Sequence, residues 1–440
     1  IIESSDVNTI GVGEGTTGLF VETIEELPDI NVAEFLRETK ATPKIGIEFN
    51  NWSGKGSTFF NPIDGTPTTN EDFDSFLYFT YTKNQSLDTS SLHGLLKRKN
   101  KSPYTGRLED YNSALHLDNK LTIQYLKNKS LKRKNIKYIS DTVSKIKRDE
   151  TGKVLKIICS NHIIDGDIFI DCTGYSRIFS EKSDWVSFKD NLPMNSVTTF
   201  TRKHNVSMVT KADKLNLGWC WQIPTQERIG CGYVSCDQWG NNVIDEIKSN
   251  YSDAEILKSF KFDSGKLKKS WNHNVISLGL AYHFLEPLQA TNIHLTLVQI
   301  DILCQRCIRQ TRDRTLNPNV ISIYNKHIDN LIEDFKNFIN IHYSRDSRVT
   351  LTDYNKKIIS LLKVRGLFFE DLPQLYGCSG IGLWGHTLLG LNHLTKQECH
   401  NFLSEMNLYE EVKEISSELQ TTFTNTPFLS YKELIKNLSI

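Results

Sequence analysis

The feature that most constrains this fold is a glycine-rich loop between a short apolar segment and a long segment of helical pattern. Ile1–Glu3 is predicted to end a strand, and Asn8–Thr16 follows as a loop with three glycines in five residues. Residues 18–38 then repeat apolar side chains at helical spacing, and Pro28 divides them into two helices. A strand, a glycine loop and a helix in this order predict one edge of an α/β sheet, where backbone N–H groups can approach a ligand.

A second predicted strand ends in an acidic residue. Residues 163–171 are strongly apolar towards their end and run through Asp171 into Cys172, Thr173 and Gly174. In open α/β sheets ligands bind beyond the carboxyl ends of the strands, where a carboxylate can hydrogen-bond a ribose hydroxyl. Asp171 and Glu3 are therefore candidate ligand-binding residues. The alternatives are an ordinary surface acid at each position and a plain tight turn in the glycine loop.

Three further segments combine residue types that carry chemistry. Trp219 and Trp221 lie two apart in a predicted strand and therefore share one face of it. This pattern predicts an aromatic wall, which either packs in the core or lines a tunnel. Pro287 precedes small polar residues that lead into a helix, whose first N–H groups can bind an anion. Lys44 begins a predicted strand over residues 44–49 and is either a surface charge or a lysine drawn into an apolar tunnel.

The remaining pattern alternates strands and helices until about residue 287, after which helices dominate. A helix is predicted over residues 111–131. Asp149–Gly152 is predicted to turn between strands at 137–147 and 154–159. Further strands are predicted at 196–209, 219–223 and 230–235.

Composition excludes several classes of protein. The 52 basic residues balance 52 acidic ones, which argues against nucleic acid as the main partner. No apolar run reaches the roughly 18–20 residues of a membrane span, and the histidines match no compact metal-ligand spacing. Nine scattered cysteines favour a reduced, cytoplasmic setting. Because the chain begins with Ile1 rather than methionine, we expect it to be a fragment.

Together these segments resemble the flavin-dependent tryptophan halogenases, in the same order and with similar spacing from residue 1 to about residue 345. The similar segments are the Ile10–Thr16 loop after Glu3 and Ser4, Lys44 ahead of Asn51 and Trp52, a helical motif at Ser113–Asp118, the WxWxIP signature at Trp219, Trp221, Ile223 and Pro224, the strand Gly232–Val234 and the block Phe284–Thr291. The WxWxIP signature and the block around Pro287 form the most specific pair.

The resemblance implies an α/β fold with an FAD-binding core of the hydroxylase (GR2) type, a mixed β-sheet substrate region and a helical C-terminal part. It divides the chain into a discontinuous FAD-binding and substrate module over residues 1–290 and a mainly helical subdomain over residues 291–440. The first strand and the GxGxxG motif of the family are absent from this sequence, and we expect them upstream of Glu3.

The resemblance also implies a chemistry. Reduced FAD from a separate flavin reductase, O₂ and chloride or bromide would give hypohalous acid, which would pass via Lys44 to an electron-rich aromatic molecule of the indole or phenol type. The implied catalytic residues are Lys44, Gln289 and Glu286, and the halide would bind at Thr291 and Asn292. The implied FAD contacts are Glu3, Gly11, Gly13, Glu14, Gly15, Thr16, Asp171, Gly174, Trp219, Trp221 and Leu288. A homodimer, without metal, membrane or nucleic-acid contacts, is expected.

Two departures from the family pattern leave alternatives open. Gln289 stands where the family carries a glutamate, and an amide cannot act as a base, so Glu286 is the nearest candidate for that role. Residues 346–440 lack the aromatic lid that encloses free tryptophan, so another substrate is expected. The alternatives are an FAD-dependent monooxygenase on the same scaffold, against which the intact WxWxIP signature argues, and a catalytically impaired relative.

Overall fold

The computed structural model describes residues 1–5, 13–64, 66, 75–83, 86–105, 113–205, 207–308, 317–366, 371–372, 375 and 380–438. Its strands are β1 (Ile2–Glu3), β2 (Glu14–Gly15), β3 (Thr42–Lys44), β4 (Gly46–Asn50), β5 (Thr58–Pro62), β6 (Ala114–Leu117), β7 (Ile139–Ser140), β8 (Val143–Arg148), β9 (Val154–Cys159), β10 (Ile163–Asp165), β11 (Phe169–Asp171), β12 (Trp185–Ser187), β13 (Ser196–Lys203), β14 (Val209–Lys214), β15 (Gly218–Pro224), β16 (Arg228–Ser235), β17 (Glu255–Lys261), β18 (Gly265–Leu267), β19 (Trp271–Asn272), β20 (Val275–Ser277) and β21 (His283–Phe284).

Its α-helices are α1 (Gly18–Glu25), α2 (Val32–Thr39), α3 (Ser75–Thr82), α4 (Leu92–Lys99), α5 (Asn119–Leu131), α6 (Val243–Asn250), α7 (Thr291–Ile302), α8 (Pro318–Ile341), α9 (Asp353–Arg365), α10 (Gly380–Gly390), α11 (Lys396–Glu405), α12 (Tyr409–Asn425) and α13 (Tyr431–Leu438). The predicted dominance of helices after about residue 287 is confirmed.

A seven-stranded sheet in the order β17-β13-β16-β15-β14-β4-β5 is the largest sheet of the described residues. Within it β14 and β4 run parallel, and the other neighbours run antiparallel. One face packs into the main core through Phe49 and Trp219, together with helices α8 and α10. The other face packs Cys220 and Tyr233 against Ile247 of α6. Both faces are covered, which explains why β15 and β16 are apolar almost throughout.

The predicted division of residues 18–38 into two helices is confirmed. α1 ends at Glu25, and α2 begins after Asn31, whose side chain accepts a hydrogen bond from the Glu34 N–H at 2.9 Å. This N-cap satisfies a backbone donor that the first turn leaves unpaired. Phe20 and Phe35 then pack together with α5 in a separate, smaller core.

The helix predicted over residues 111–131 is wrong in its first part. Ala114–Leu117 form β6, which lies between β2 and β3, and all four residues are buried. The helical motif expected at Ser113–Asp118 is therefore a strand. α5 starts only at Asn119, where the Asp118 carboxylate caps the Leu121 N–H at 3.1 Å. Pairing with two distant strands decides the conformation of β6 over its local pattern.

The hairpin predicted around Asp149–Gly152 is confirmed as β8 and β9. The strand predicted over residues 163–171 divides instead into two. β10 pairs antiparallel with β9, whereas β11 pairs parallel with β20. Asp171 nevertheless stands at the carboxyl end of a parallel strand, as predicted. Glu3 likewise ends β1, which is parallel to β7.

The main core contains side chains from both sides of residue 290, so the expected boundary between modules 1–290 and 291–440 remains a prediction. Among the residues that the structure describes, no helix is long and apolar enough to cross a membrane. The eight cysteines in the described ranges are all free thiols.

Candidate active site

The glycine loop closes against the end of the tryptophan strand. Its described part begins at Gly13, whose φ of +88° lies in the left-handed region that favours glycine. A Cβ at Gly13 would lie 3.5 Å from Ile223 and 3.7 Å from Thr225, the two residues on either side of Pro224. Gly11 lies outside the described residues. The fold thus brings two of the motifs found in the sequence into contact.

Lys44 lies in the interior beside this loop. It ends β3, which pairs with β6, and its side chain is fully buried. Its Nζ donates a hydrogen bond to the carbonyl oxygen of Thr16 at 2.7 Å. A Cβ at Gly15 would lie only 3.2 Å from Nζ, so the missing side chain of Gly15 leaves the space in which the ammonium group lies. Of the two alternatives for Lys44, the buried lysine is confirmed.

Glu14 brings a carboxyl group to the same loop. Burial raises the pKa of Glu14, while a hydrogen bond from Asn119 Nδ2 at 3.4 Å and the charge of Lys44 oppose the rise. Burial also raises the pKa of Tyr175, and the charge of Glu14 adds to that rise. Tyr175 directly follows Gly174, so the charge of Glu14 acts on the loop after β11.

The segment after Pro287 makes a strained turn that meets the glycine loop. Gln289 and Ala290 have left-handed backbone angles, with φ of +64° and +57°. Such angles cost on the order of 1–3 kcal/mol for each residue other than glycine. The Cβ of Ala290 lies 3.5 Å from the position where Gly15 would carry one, so the turn passes directly beside Lys44.

The N-terminus of α7 follows this turn. Thr291 and Asn292 open the helix, and their backbone N–H groups have no acceptor within it. Asn292 fixes the turn, because its side chain accepts from the Leu285 N–H at 3.0 Å and donates to the Leu285 carbonyl at 2.8 Å. Leu288 is buried in the main core. The buried Thr291 hydroxyl has no partner among the described residues, so this helix start can receive a small anion.

Gln289 has a partner that the sequence analysis did not identify. Its Nε2 lies 2.9 Å from Nε2 of His342, which directly follows α8. Nδ1 of the same ring lies 2.8 Å from the carbonyl oxygen of Phe338, one turn earlier. Burial lowers the pKa of His342 to about 4. No sequence signal pairs the two residues, because only the packing of α8 against the turn brings them together.

The predicted aromatic wall is confirmed. The ring centres of Trp219 and Trp221 are 6.1 Å apart on one face of β15, and Trp52 adds a third ring 6.2 Å from Trp219. Trp219 is buried, whereas Trp221 is half-buried above Gly232 on the neighbouring strand. A Cβ at Gly232 would overlap the Trp221 indole. That this wall lines a tunnel remains a prediction.

Glu286 lies three residues before Gln289 but has other partners. Its fully buried carboxylate accepts hydrogen bonds from the Tyr343 hydroxyl and from the Met194 N–H, the latter at 3.3 Å. Burial raises the pKa of Glu286 to about 7, although these two donors, Lys214 and Trp219 oppose the rise. The carboxyl group is therefore held within the core, and its role as a base remains a prediction.

Asp171 has the features of a ligand-binding carboxylate. Its Oδ1 accepts from the backbone N–H and hydroxyl of Thr173 at 2.9 and 2.6 Å, whereas the buried Oδ2 has no partner within the described part of the chain. A side chain at Gly174 would meet open space, and φ there is +62°. An unpartnered buried acceptor beside an open backbone fits a ligand that carries hydroxyl groups, such as the ribityl or ribose part of FAD.

Glu3 lies apart from this cluster, in the two-stranded sheet of β1 and β7. Its Oε2 accepts from Lys127 Nζ at 2.5 Å and from the Tyr138 hydroxyl at 2.8 Å. These hydrogen bonds lower the pKa of Glu3 and keep the carboxylate ionised. The structure thus joins the predicted residues around Lys44 with one another but does not bring Glu3 to them.

The histidines that could suggest a metal site are separated. His116 contacts the Thr210 hydroxyl at 2.8 Å, and His294 contacts the Thr17 hydroxyl at 2.8 Å. His283 is buried elsewhere. Over the described ranges, no group of three or more histidine, cysteine or acidic side chains is placed to hold a metal ion.

Comparison with known proteins shows the family of this chain. The profile of the tryptophan halogenase family matches residues 1–381. Tryptophan 7-halogenase RebH from Lentzea aerocolonigenes is 24% identical over 380 residues, which cover 78% of this chain and 70% of RebH. Tryptophan 6-halogenase SttH from Streptomyces toxytricini is 25% identical over 385 residues, covering 78% and 72%.

Two solved structures show the same fold. The flavin-dependent halogenase Xcc4156 from Xanthomonas campestris matches with a TM-score of 0.83 at 21% identity, over 99% of this chain and 92% of its own. BrvH, a flavin-dependent halogenase from Brevundimonas sp. BAL3, matches with a TM-score of 0.81 at 21% identity, over 100% and 93%. The expected fold class is confirmed. Because the family profile covers well over half of its residues, this chain belongs to the tryptophan halogenase family of flavin-dependent enzymes.

Proposed function

We propose that this halogenase replaces a ring C–H of an electron-rich aromatic molecule by a carbon–halogen bond, in the space beside Lys44 and Gln289. The substrate is of the indole or phenol type. The oxidant is hypohalous acid, whose halogen goes to the ring carbon while its hydroxide leaves as water with the ring proton. The buried Lys44 ammonium, 2.7 Å from the Thr16 carbonyl, is the observation that carries the proposal.

FAD is the cofactor that the family uses, and the residues present here fit it. The buried Oδ2 of Asp171 and the open backbone at Gly174 would hold its hydroxyl-bearing part, and Gly13 offers a left-handed backbone beside β15. When bound in its reduced form, FAD would supply two of the four electrons that O₂ takes up, and the halide would supply the other two as it becomes hypohalous acid. A separate flavin reductase would deliver that reduced form.

The halide would bind at the N–H groups of Thr291 and Asn292. The partial positive charge of a helix N-terminus favours an anion. Ala290 directly precedes this helix and lies against Gly15, so a halide here would be close to Lys44.

Lys44 would hold the oxidant. A fixed ammonium group in the protein interior attracts the oxygen of hypohalous acid more strongly than it could in solvent. The burial of Lys44 would also limit the loss of the oxidant to water.

Turnover by the enzyme with FAD, a flavin reductase, NADH and air tests the proposal. Indole and phenol serve as substrates, chloride, bromide and iodide are supplied separately, and products are identified by mass spectrometry. We expect a halogenated product whose formation falls about 100-fold or more in Lys44→Met, with FAD binding retained. Lys97→Met is the matched control, because Lys97 is largely buried with its ammonium group in ion pairs with Glu48 and Asp88 at 2.8 and 2.9 Å.

Two other results would overturn the proposal. A hydroxylated product that forms without halide would identify a monooxygenase. Bound flavin without any aromatic product, also after Gln289→Glu, would identify a catalytically impaired relative.

A further inference from the structure

The hydrogen bonds of His342 fix the position of its ring proton. The carbonyl oxygen of Phe338 can only accept a hydrogen bond, and it lies 2.8 Å from Nδ1. Nδ1 must therefore carry a proton. A neutral imidazole has only one, so Nε2 of a neutral His342 is an acceptor.

The surroundings of His342 keep the ring neutral. It is fully buried, and its ring neighbours are Phe49, Trp52 and Phe338, with centroids 5.1, 6.1 and 5.2 Å away. Burial lowers the pKa of His342 to about 4, and no charged side chain of the described residues contributes to its shift. The two phenylalanine rings carry no donor, and the Trp52 indole N–H donates to the Ala212 carbonyl at 2.9 Å.

The side-chain orientation of Gln289 follows. Its amide lies 2.9 Å from Nε2 of His342, and only the NH₂ end can donate to a lone pair. The carbonyl oxygen, on the other arm of the amide, must point away from His342. The side chain is 9% exposed, and no hydrogen bond among the described residues uses this oxygen.

We infer that His342 is a positioning residue that locks the Gln289 amide, so that the site presents a neutral, acceptor-only oxygen to the oxidant or the substrate beside Lys44. This inference rests on the proposed function. A hydroxyl donor, as in hypohalous acid, or an aromatic N–H or O–H would complement that oxygen. In the proposed function the Lys44 ammonium group would donate to the same oxidant.

Nuclear magnetic resonance of the full chain labelled with ¹⁵N-histidine tests the lock without turnover. Long-range ¹H–¹⁵N correlations at pH 7 are expected to show His342 as the neutral Nδ1–H form. Gln289→Met removes the donor at constant length and is expected to shift the Nε2 signal. Gln289→Glu is expected to convert His342 to imidazolium, since a carboxylate and a lone pair must share a proton. An Nε2–H form, or an imidazolium in the unaltered chain, overturns the inference.

Kinetics test the role of the locked oxygen. We expect His342→Phe to lower kcat of halogenation at least about tenfold, which corresponds to about 1.4 kcal/mol, with FAD affinity kept. His342→Gln can place an amide oxygen near the former Nε2 and should restore most of kcat. An unchanged kcat in His342→Phe, or no recovery in His342→Gln, overturns the role.

His386→Phe is the matched control. His386 is also fully buried, with Nδ1 2.8 Å from the Gly382 carbonyl and Nε2 2.8 Å from the Ser90 hydroxyl. It should lose similar stability in urea without the selective loss of kcat, and an equal loss of kcat would mean that His342 is merely structural. If the unaltered enzyme halogenates nothing while its spectra show the lock, the proposed function fails and the lock stands.

Discussion

The placement of Lys44 can be tested without touching Lys44. In Gly15→Ala the new Cβ would lie 3.2 Å from Nζ and 3.5 Å from the Cβ of Ala290, whereas ordinary contacts begin at 3.4 Å. The lysine tip must therefore move by a few tenths of an ångström. Since that tip is the flexible end of a long side chain, folding should cost less than about 1 kcal/mol.

The same displacement of the Lys44 ammonium group should lower kcat of halogenation. In the proposed reaction Nζ donates a hydrogen bond to the oxidant, and a hydrogen bond from a charged group contributes about 1.5–3 kcal/mol. Loss of this amount from the transition state lowers the rate by about 10- to 150-fold. We therefore expect Gly15→Ala to lower kcat of halogenation by this factor while its urea midpoint stays close to that of the unaltered enzyme.

Gly18→Ala is the control for this substitution. A Cβ at Gly18 has its nearest neighbour, the Glu22 carboxylate, at 4.0 Å, and helix α1 begins there. The control should retain full activity and gain up to about 1 kcal/mol of stability from helix propensity. Normal turnover by Gly15→Ala would show that the position of Lys44 does not matter for catalysis. A large loss of stability in Gly15→Ala would show that the end of the lysine side chain cannot move to accommodate the new methyl group.

Three further predictions concern the surroundings of the site. Glu286 has a pKa of about 7 when folded and 4.5 when exposed, so the folded state binds the extra proton between these values and stability falls as pH rises through this range. In urea titrations from pH 5 to 8 the free energy of unfolding should fall by about 3 kcal/mol at most, and Glu286→Gln should remove this pH dependence. An unchanged pH dependence in Glu286→Gln would contradict its assignment to Glu286. Gly232→Ala should displace the Trp221 indole and lower the free energy of unfolding, measured by heating, by about 1–3 kcal/mol. Tryptophan fluorescence should change, and an unchanged fluorescence spectrum would contradict the contact between Gly232 and Trp221. Asn292→Leu removes both hydrogen bonds to Leu285 and should lower the free energy of unfolding by about 1–3 kcal/mol. It should also raise the halide concentration needed for half-maximal turnover. An unchanged halide response would mean that these hydrogen bonds do not support the anion site.

The sequence predicted those elements that depend on neighbouring residues. Pro28 and the cap at Asn31 separate two helices through local backbone chemistry, and the turn at Asp149–Gly152 joins adjacent strands in the same way. The segment Ala114–Leu117 was misassigned because its conformation depends on β2 and β3, which lie far away along the chain. Local pattern does not contain that information.

The same distinction applies to the site. The glycine loop, the tryptophan pair and the turn after Pro287 were found because each is a contiguous motif. The sequence does not decide whether Lys44 is buried, since a lysine after a proline has no local signature of burial. The contact between Gln289 and His342 has no signature in the sequence, because it depends on how α8 packs against a strained turn.

The strained turn at Gln289 and Ala290 indicates that the site holds one arrangement of hydrogen-bond donors and acceptors. Two consecutive left-handed residues persist only where contacts with their surroundings hold them in place. Here the hydrogen bonds of Asn292 with Leu285 and the contact of Gln289 with His342 hold the turn. The Glu286 carboxylate is withdrawn into contacts with Tyr343 and Met194, so the turn offers a neutral oxygen instead of a charged one. The charge of Lys44 already acts on Glu14, and a second carboxylate at residue 289 would weaken the attraction of this ammonium group for the oxidant, whereas a neutral amide does not.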